Sequence, residues 1–215
     1  MDGLLIVDKP RGVSSFNVIR DVRKEYGIRA VGHIGTLDPE ASGVLPILVG
    51  KATKLSDLLM LHDKDYIAEI TLGIKTDSGD IEGNIIEIDD SNHNYDKNQI
   101  LSVLNSFKGH SKQIPPMYSA IKIDGKKLYE LARNGESVER EARDIFIDNI
   151  ELLDFDGKVI KYKVTCSKGT YIRVLSEDIA EKLGTVGFMS SLRRTRVGNF
   201  KIEDAGKFIK MEDIL

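Results

Sequence analysis

Residues 32–46 read GHIGTLDPEASGVLP and continue directly into the apolar segment ILVG. The stretch places three glycines and two prolines around one histidine, His33, and one aspartate, Asp38. Pro39 restricts Asp38 to extended backbone, and the flanking glycines permit tight turns. The pattern predicts a rigid loop that holds a carboxylate at the edge of an apolar floor. Such a carboxylate is ionised at neutral pH and can act as a nucleophile or a base. An aspartate that caps a turn or a helix explains the sequence equally well.

Short apolar segments separated by turn residues surround this loop on both sides. Strands outnumber helices and hairpins are frequent, which favours an α+β fold with a mainly antiparallel mixed sheet flanked by helices and loops. Pro46 predicts an edge position or a bulge for the strand that contains it. Strands are predicted in GLLIVDK, GVLPILVG, YIAEITLG, NIIEID, in the two arms around Asp156-Gly157, in GFMSSLRRTRVGNF and at the start of MYSAIKIDGKKLYELARNG, which continues through an Asp-Gly turn into a short helix.

The first helix is predicted to begin at a cap formed by Ser14 or Ser15 and to end at Gly27. Its apolar face, read from the helical spacing, comprises Phe16, Ile19, Val22 and Tyr26. Further helices are predicted in KATKLSDLLMLHD, in ILSVLNSF after a cap at Asp96, and in TYIRVLSEDIAEKLG.

The composition fits one soluble domain of generous size: 215 residues, of which 41% are hydrophobic and 30% charged. The single Cys166 excludes a disulfide framework and a cysteine metal cluster, and the four histidines are too scattered to predict a metal site. The N-terminus does not read as a signal peptide and no apolar run is long enough to span a membrane. We therefore expect a cytoplasmic protein without a structural metal.

The net charge of -3 is unevenly distributed. Residues 108–143 hold eight basic and five acidic side chains, and residues 188–201 hold four basic side chains and no acidic one. A basic face on an acidic body can bind nucleic acid, because only the local charge meets the phosphates. Ordinary surface patterning is the alternative.

Two further side chains are candidates for the Asp38 site. A buried carboxylate needs a positive partner, and SKGTYIRVL supplies Arg173 early in a helix, where the helix dipole does not favour a cation. Tyr66 stands at the entrance of a strand, where an aromatic ring either packs into the core or stacks on a base.

These segments together resemble the TruB family of pseudouridine synthases. GHIGTLDPEASGVLP resembles the family's signature and DKPRGVSSF its N-terminal motif, and the later blocks follow in the family's order over nearly the whole chain. Those later blocks are KDYIAEITLGIKTDSGDIEG, IPPMYSAIKIDGKKLYELARNG, SKGTYIRVL and GFMSSLRRTRVGNF.

The resemblance implies the pseudouridine synthase fold and isomerisation of uridine 55 in the T-loop of transfer RNA, without cofactor or metal. It implies that Asp38 is the catalytic aspartate, that Tyr66 stacks on the target base and helps move its ring proton, and that Arg173 pairs with Asp38. Leu192 is then expected to line the pocket, and His33 to contact the RNA and hold the bases of the loop apart.

The resemblance also implies one catalytic domain over residues 1–215, with an insertion at about 108–143 that clamps the RNA. The C-terminal RNA-binding domain usual in the family is expected to be absent or truncated. The partner is the T-loop and stem of transfer RNA, bound by a monomer without an obligate protein partner or a membrane. The side chains expected to bind the RNA are Lys64, Lys122, Lys126, Lys127, Arg133, Arg193 and Arg194.

The sequence leaves several alternatives open. Asp38 could attack the sugar, attack the base ring or remove a sugar proton. A non-catalytic module that assists transfer RNA folding would use the same basic face, and a related branch of the family works with guide RNAs. A glycoside hydrolase is disfavoured, because such enzymes use two carboxylates and only one good candidate is present.

Overall fold

Two buried strands near the N-terminus carry the loop that contains Asp38. β1 (Gly3–Lys9) runs antiparallel to β3 (Ser42–Val49) over its full length. Every residue of β3 after Ser42 is buried, which explains why its sequence is a continuous apolar run and not an alternation. The computed structural model describes residues 1–123 and 125–214. Asp124, part of the predicted Asp-Gly turn, lies outside the described residues.

Pro46 occupies the interior of β3, and the predicted edge position or bulge is corrected. On one side, β1 pairs with β3 without a register shift. On the other side, β2 (Val31–His33) pairs with residues 47–49 and β12 (Gly187–Val197) pairs with residues 42 and 43. Pro46 falls between these two partners, where no ladder hydrogen bond requires the N–H that proline lacks.

The chain divides into two units, each assembled from segments that are distant in sequence. Unit 1 comprises Met1–Ile67, Lys163–Lys168 and Ser191–Leu215, and unit 2 comprises Ala68–Tyr162 and Gly169–Ser190. Three strands contribute residues to both units: β4 (Lys64–Leu72), β11 (Val159–Cys166) and β12.

Unit 1 has the strand order β14-β1-β3-β12-β4-β11, with β2 beside β3 and β13 beside β12. β3 and β12 are parallel, whereas β1 is antiparallel to both of its neighbours. A cluster of buried side chains that includes Leu4, Ile34, Val44 and Phe200 forms its core. The later elements of unit 1 are β13 (Phe200–Lys201), β14 (Phe208–Lys210) and 3-10 turns at Ile202–Asp204 and Met211–Asp213.

The helix α1 (Ser15–Tyr26) begins and ends where the sequence predicts. The Ser14 side chain accepts a hydrogen bond from the backbone N–H of Asn17 at 3.1 Å, and Gly27 closes the helix with a φ of 66°. The predicted apolar face is partly wrong, because Phe16 is 64% and Tyr26 40% exposed. The face that packs inward comprises Ser15, Val18, Ile19 and Val22.

The helix predicted in KATKLSDLLMLHD is shorter and tighter than expected. A 3-10 helix at Gly50–Leu55 precedes a single α-turn, α2 (Ser56–Leu59). The hydroxyl of Thr53 donates to the carbonyl of Gly50 at 2.8 Å. Such a local side-chain bond competes with the regular helical pattern and favours short 3-10 segments.

Unit 2 has the strand order β12-β4-β11-β10-β7. The predicted cap at Asp96 is present, since its side chain accepts from the backbone N–H of Gln99 at 2.8 Å. The described residues thus confirm an α+β fold with a mainly antiparallel mixed sheet, and none of their helices is both long and apolar enough to cross a membrane. The elements of unit 2 are β5 (Ile74–Thr76), β6 (Ile85–Ile88), α3 (Lys97–Asn105), β7 (Gly109–Gln113), β8 (Lys122–Ile123), β9 (Lys126–Lys127), α4 (Leu128–Arg133), β10 (Arg143–Phe155) and α5 (Ile172–Lys182).

Candidate functional site

The loop between β2 and β3 is anchored by three buried apolar side chains. Ile34, Leu37 and Ala41 are between 0% and 4% exposed, so the loop rests on the core of unit 1. Asp38 follows Leu37 directly and is half-buried. Its carbonyl accepts the backbone N–H of Ala41 at 3.1 Å, which closes a tight turn. Asp38 therefore lies in a tight turn flanked by buried apolar residues.

Ser15 holds the backbone immediately before Asp38. Its Oγ donates to the carbonyl of Leu37 at 2.8 Å and accepts the N–H of Leu37 at 3.0 Å. Ser15 is 3% exposed, so neither bond competes with water. The sequence suggested only a helix cap for this residue, and Ser14 provides that cap.

Lys9 holds the backbone immediately after Asp38. This lysine is fully buried, and its Nζ donates to the carbonyls of Pro10, Val13 and Pro39 at 3.0, 2.6 and 3.0 Å. The Pro39 carbonyl also accepts the backbone N–H of Gly12 at 2.9 Å. A buried ammonium is costly unless its donors are satisfied, and here three carbonyls satisfy them. Lys9 and Ser15 therefore fix the loop on both sides of Asp38.

Tyr66 lies in β4 with its side chain 7% exposed. The pKa of the phenol is raised to about 12, mainly by burial and also by the nearby charge of Asp38, while Arg194 opposes the increase. The Asp38 carboxylate and the Tyr66 ring are therefore close enough to interact electrostatically. A phenol with this pKa remains protonated at neutral pH.

Arg194 is buried, and the expectation that it binds phosphate on the surface is corrected. It is 1% exposed. Its Nε donates to the carbonyl of Val44 and its Nη2 to the carbonyl of Gly35, both at 2.8 Å. Its guanidinium also lies close enough to the Tyr66 phenol to oppose the increase in the pKa of that group. The side chain faces the Asp38 loop from inside unit 1.

Lys64 is also buried, and its predicted place on an RNA-binding surface is corrected. Its side chain is 7% exposed at the start of β4, and its Nζ donates to the carbonyl of His62 at 2.7 Å. Burial, and then the charge of Arg194, lower the pKa of Lys64 to about 8. Because β4 alternates, Lys64 and Tyr66 point to the same side of the strand.

His33 lies at the end of β2 and is half-buried. Burial, and secondly the positive charge of Arg194, lower the pKa of the imidazole, so it is neutral at pH 7. Among the described residues, no protein group bonds its buried Nδ1. A neutral ring with a free nitrogen is able to donate to or accept from an RNA base.

Leu192 and Arg193 lie on β12 and point to opposite sides of it. Leu192 is 9% exposed, and its place in the lining of a pocket stays a prediction. The Arg193 side chain is 40% exposed and pairs with Asp8 through two hydrogen bonds, at 2.8 and 3.1 Å. Arg193 therefore keeps a surface position that suits contact with phosphate.

Arg173 belongs to unit 2 and is 5% exposed in α5. Its Nη1 donates to the carbonyl of Ser78 at 3.1 Å and lies 3.6 Å from the carboxylate of Asp80. Its Nη2 donates to the carbonyl of Tyr118 at 2.6 Å. These contacts orient the guanidinium firmly, and the pair with Asp38 remains a prediction.

A cluster of cations and one aromatic ring lies in the insertion at 108–143. The Lys127 Nζ lies 5.3 Å and the Arg133 Cζ 5.5 Å from the centre of the Tyr129 ring. The helix α4 that carries this cluster is rooted by the buried Leu128 and Leu131. Its exposed side is suited to phosphates and bases. Lys122, Lys126 and Arg133 are exposed, and Lys127 is half-buried.

Sequence patterns miss three residues: Lys9 and Ser15, which hold the Asp38 loop, and Asp80, which lies beside Arg173. They predict Lys9 only as the end of a strand, and Ser15 only as a possible helix cap. The residues that these side chains contact in the site lie far away in the sequence, so no local pattern predicts these contacts. Among the described residues, no group of three His, Cys, Asp or Glu side chains could hold a metal ion.

Two family models match the chain. The model described as TruB family pseudouridylate synthase (N terminal domain) matches residues 23–172, and the model described as tRNA pseudouridylate synthase B C-terminal domain matches residues 173–215. The second match includes Arg173, Leu192 and Arg194.

The chain is also similar to curated proteins named tRNA pseudouridine synthase B. It is 49% identical to that of Clostridium tetani over all of this chain and 73% of the relative. It is 47% identical to that of Bacillus subtilis over 99% of this chain and 70% of the relative. Among solved structures, a Cbf5-Nop10-Gar1 complex contains a chain that is 31% identical, with a TM-score of 0.74 over 99% of this chain and 53% of that chain.

Proposed function

Because the chain belongs to the TruB family of pseudouridylate synthases, we propose that it isomerises uridine 55 to pseudouridine in the T-loop of transfer RNA. Asp38 is the essential carboxylate in this proposal. The observation that carries it is the fixation of the Asp38 loop by Ser15 and Lys9 beside the buried Tyr66. A site built with this much tertiary support does not serve a simple turn.

The reaction explains why one directed carboxylate is needed. The bond from N1 of uracil to C1′ of the sugar breaks, a bond from C5 to C1′ forms, C5 loses a proton and N1 gains one. The atoms therefore balance without an added reagent. The base has to leave the stack and turn within a dry pocket, because water would capture the separated sugar. Buried Leu192 and the apolar anchors of the loop supply such a floor.

The protonation states assign tasks within the site. Tyr66 stays protonated, so it enters the reaction as a stacking ring and a hydrogen-bond donor, and it is not the base at neutral pH. Asp38 is the group that attacks the sugar or the ring, or takes the sugar proton. Arg173 is proposed to pair with Asp38 and keep it ionised, since its own contacts fix its direction.

The RNA is proposed to lie across the exposed cations. His33 contacts the splayed bases of the loop, while Arg193 and the cluster around Tyr129 bind phosphates. The enzyme is proposed to act as a cytoplasmic monomer on folded transfer RNA. Proteins recognise RNA loops through their shape and their unstacked bases. Exposed aromatic and cationic side chains suit this kind of recognition better than insertion into a helical groove.

The test is a transfer RNA transcript labelled with tritium at C5 of uridine. Wild-type protein should release the label, and pseudouridine should map to the T-loop. Asp38→Asn should abolish release while the dissociation constant for the RNA changes by less than about threefold. Absence of pseudouridine with the wild-type protein contradicts the proposal and leaves the non-catalytic folding module as the reading.

A further inference from the structure

Arg194 is the largest fully buried side chain of the described residues. Burial of a guanidinium is unfavourable and lowers its pKa. Among the described residues no carboxylate forms an ion pair with it, and its partners are backbone carbonyls and a phenol. Packed apolar residues often replace even a buried ion pair without loss of stability, so a gain in stability alone does not explain a buried guanidinium. Its partners therefore indicate what it does.

The two carbonyls lie on opposite sides of Asp38 in the sequence. Gly35 precedes the aspartate and Val44 follows it, and each accepts from Arg194 at 2.8 Å. The backbone leaves room for this contact, because a Cβ on Gly35 would lie only 3.2 Å from Nη1 of Arg194. One guanidinium thus joins the two limbs of the Asp38 loop.

The same guanidinium also neighbours Tyr66, since both side chains are buried on adjacent strands, β12 and β4, and interact electrostatically. We propose that Arg194 is a positioning residue that fixes the phenol of Tyr66 relative to the carboxylate of Asp38, an inference that rests on the proposed function. The guanidinium thus contacts the loop on which Asp38 is carried, through the carbonyls of Gly35 and Val44, and lies beside the phenol of Tyr66. The chemistry depends on this link, because the base has to turn between the ring and the carboxylate.

The buried positive charge of Arg194 is electrostatically unfavourable for two neighbouring basic groups. Arg194 lowers the pKa of Lys64 and of His33, both of which face the same part of unit 1. An apolar side chain at position 194 would relieve this repulsion. The positive charge also opposes the effect of burial on Tyr66, which a purely space-filling residue would not do.

The test is a double-mutant cycle between positions 194 and 66. Arg194→Gln should lower kcat about 30- to 100-fold and change KM by less than about threefold. In the Tyr66→Phe background the same substitution should cost no more than about threefold, because the link is already broken. Arg194→Lys should be intermediate, since an ammonium reaches only part of the fork.

The matched control is Arg196→Gln on the same strand. Arg196 pairs with Asp65 at 2.6 and 2.9 Å, away from the loop, so its loss should lower stability and leave kcat unchanged. Equal effects of the two substitutions on kcat, or multiplicative effects of positions 194 and 66, overturn the proposal.

A second measurement is independent of activity. In RNA-free protein labelled with 13C at the tyrosine ring, the Cζ resonance of Tyr66 is identified by its loss in Tyr66→Phe. It should move in Arg194→Gln and in Arg194→Lys, and remain in place in Arg196→Gln. An unmoved Tyr66 resonance overturns the proposal even where the wild-type enzyme is active, and an inactive wild type with a moved resonance refutes only the proposed function.

Discussion

Ser15 and Leu37 exchange a reciprocal pair of hydrogen bonds, with the Ser15 Oγ donating at 2.8 Å and accepting at 3.0 Å. The Ser15 hydroxyl, in the first turn of α1, thus makes with the backbone of Leu37 the two hydrogen bonds that a neighbouring strand would otherwise make. Because Asp38 is the next residue, its direction is set from outside its own loop. The consequence is that activity should depend on residues that touch no substrate.

Ser15→Ala tests this dependence. We expect the free energy of unfolding to fall by about 1–3 kcal/mol, because two buried backbone groups lose their hydrogen-bond partner. We also expect kcat to fall about tenfold, because the Asp38 carboxylate is no longer held in its orientation. Ser14→Ala is the matched control. It removes the helix cap at a cost of about 1 kcal/mol and should leave kcat unchanged. Urea unfolding and tritium release measure the two quantities, and equal kcat values for the two variants would contradict the expectation.

Lys9→Met should be more damaging. It removes the donor from three carbonyls, and among the described residues the carbonyl of Pro39 keeps another donor, the N–H of Gly12. We expect a loss of about 2–4 kcal/mol in the free energy of unfolding together with a lower kcat. The exposed Lys54 provides the control, since Lys54→Met should change stability by less than about 0.5 kcal/mol. A stable and fully active Lys9→Met variant would show that the Asp38 loop keeps its conformation without Lys9.

Arg173→Lys should lower kcat by about 100-fold or more. The guanidinium reaches two carbonyls and the carboxylate of Asp80 at once, and an ammonium cannot do so. Arg23→Lys serves as a control, because Arg23 bonds a single carbonyl from an exposed position. Single-turnover rates at saturating RNA separate this effect from binding. A loss confined to KM would remove Arg173 from the chemical step.

Lys64 should make stability rise at alkaline pH. Its folded pKa is about 8, below the value of about 10.4 that lysine has when unfolded. Between these values the unfolded chain binds more protons, so the free energy of unfolding increases with pH. The destabilisation is complete below pH 8, where it is on the order of 3 kcal/mol, and it vanishes above about 10.4.

The measurement is urea unfolding of wild type and Lys64→Met from pH 7.5 to 10. The difference, wild type minus variant, should become more favourable to wild type as the pH increases. Other titrating groups are common to both proteins and cancel. A difference that does not vary with pH would mean that Lys64 ionises as an exposed lysine does.

The cluster in the insertion should control the salt dependence of RNA binding. Each phosphate contact contributes roughly 0.7–0.9 to the slope of log affinity against log salt, so the double variant Lys127→Ala with Arg133→Ala should reduce that slope by about 1–2. Lys182→Ala is a matched control, since this lysine also lies over a ring, 5.1 Å from the centre of Phe107. An unchanged slope in the double variant would place the RNA elsewhere.

Local sequence patterns predict most strands and the ends of α1, and the alternation of the strands also predicts which side chains of the site are buried. The sequence places Tyr66 at the entrance of a strand, and extending the alternation of that strand back by two residues places Lys64 inside as well. The same period applied to β12 puts Leu192 and Arg194 inside and Arg193 outside. Reading the paired arginines as one basic patch overlooked this period.

The supports of the Asp38 loop could not be predicted in the same way. Ser15 and Leu37 are 22 residues apart, and Lys9 and Pro39 are 30 apart. Their bonds follow from how β1, α1 and β3 pack, and a serine after another serine, or a lysine before a proline, has no local signature of such a partner. For Phe16 the local pattern predicts too much. Helical spacing places it on the apolar face of α1, but the packing of the helix leaves it exposed.

The dispersal of unit 1 along the chain bears on how the protein is made. During translation β1 and the Asp38 loop leave the ribosome before β14, which pairs with Gly3–Leu5, and before Arg194, which contacts both limbs of the loop. A nascent chain that does not yet include Arg194 therefore carries Asp38 on a loop that this guanidinium does not yet restrain. We expect the loop to reach its final geometry only after β12 has been synthesised.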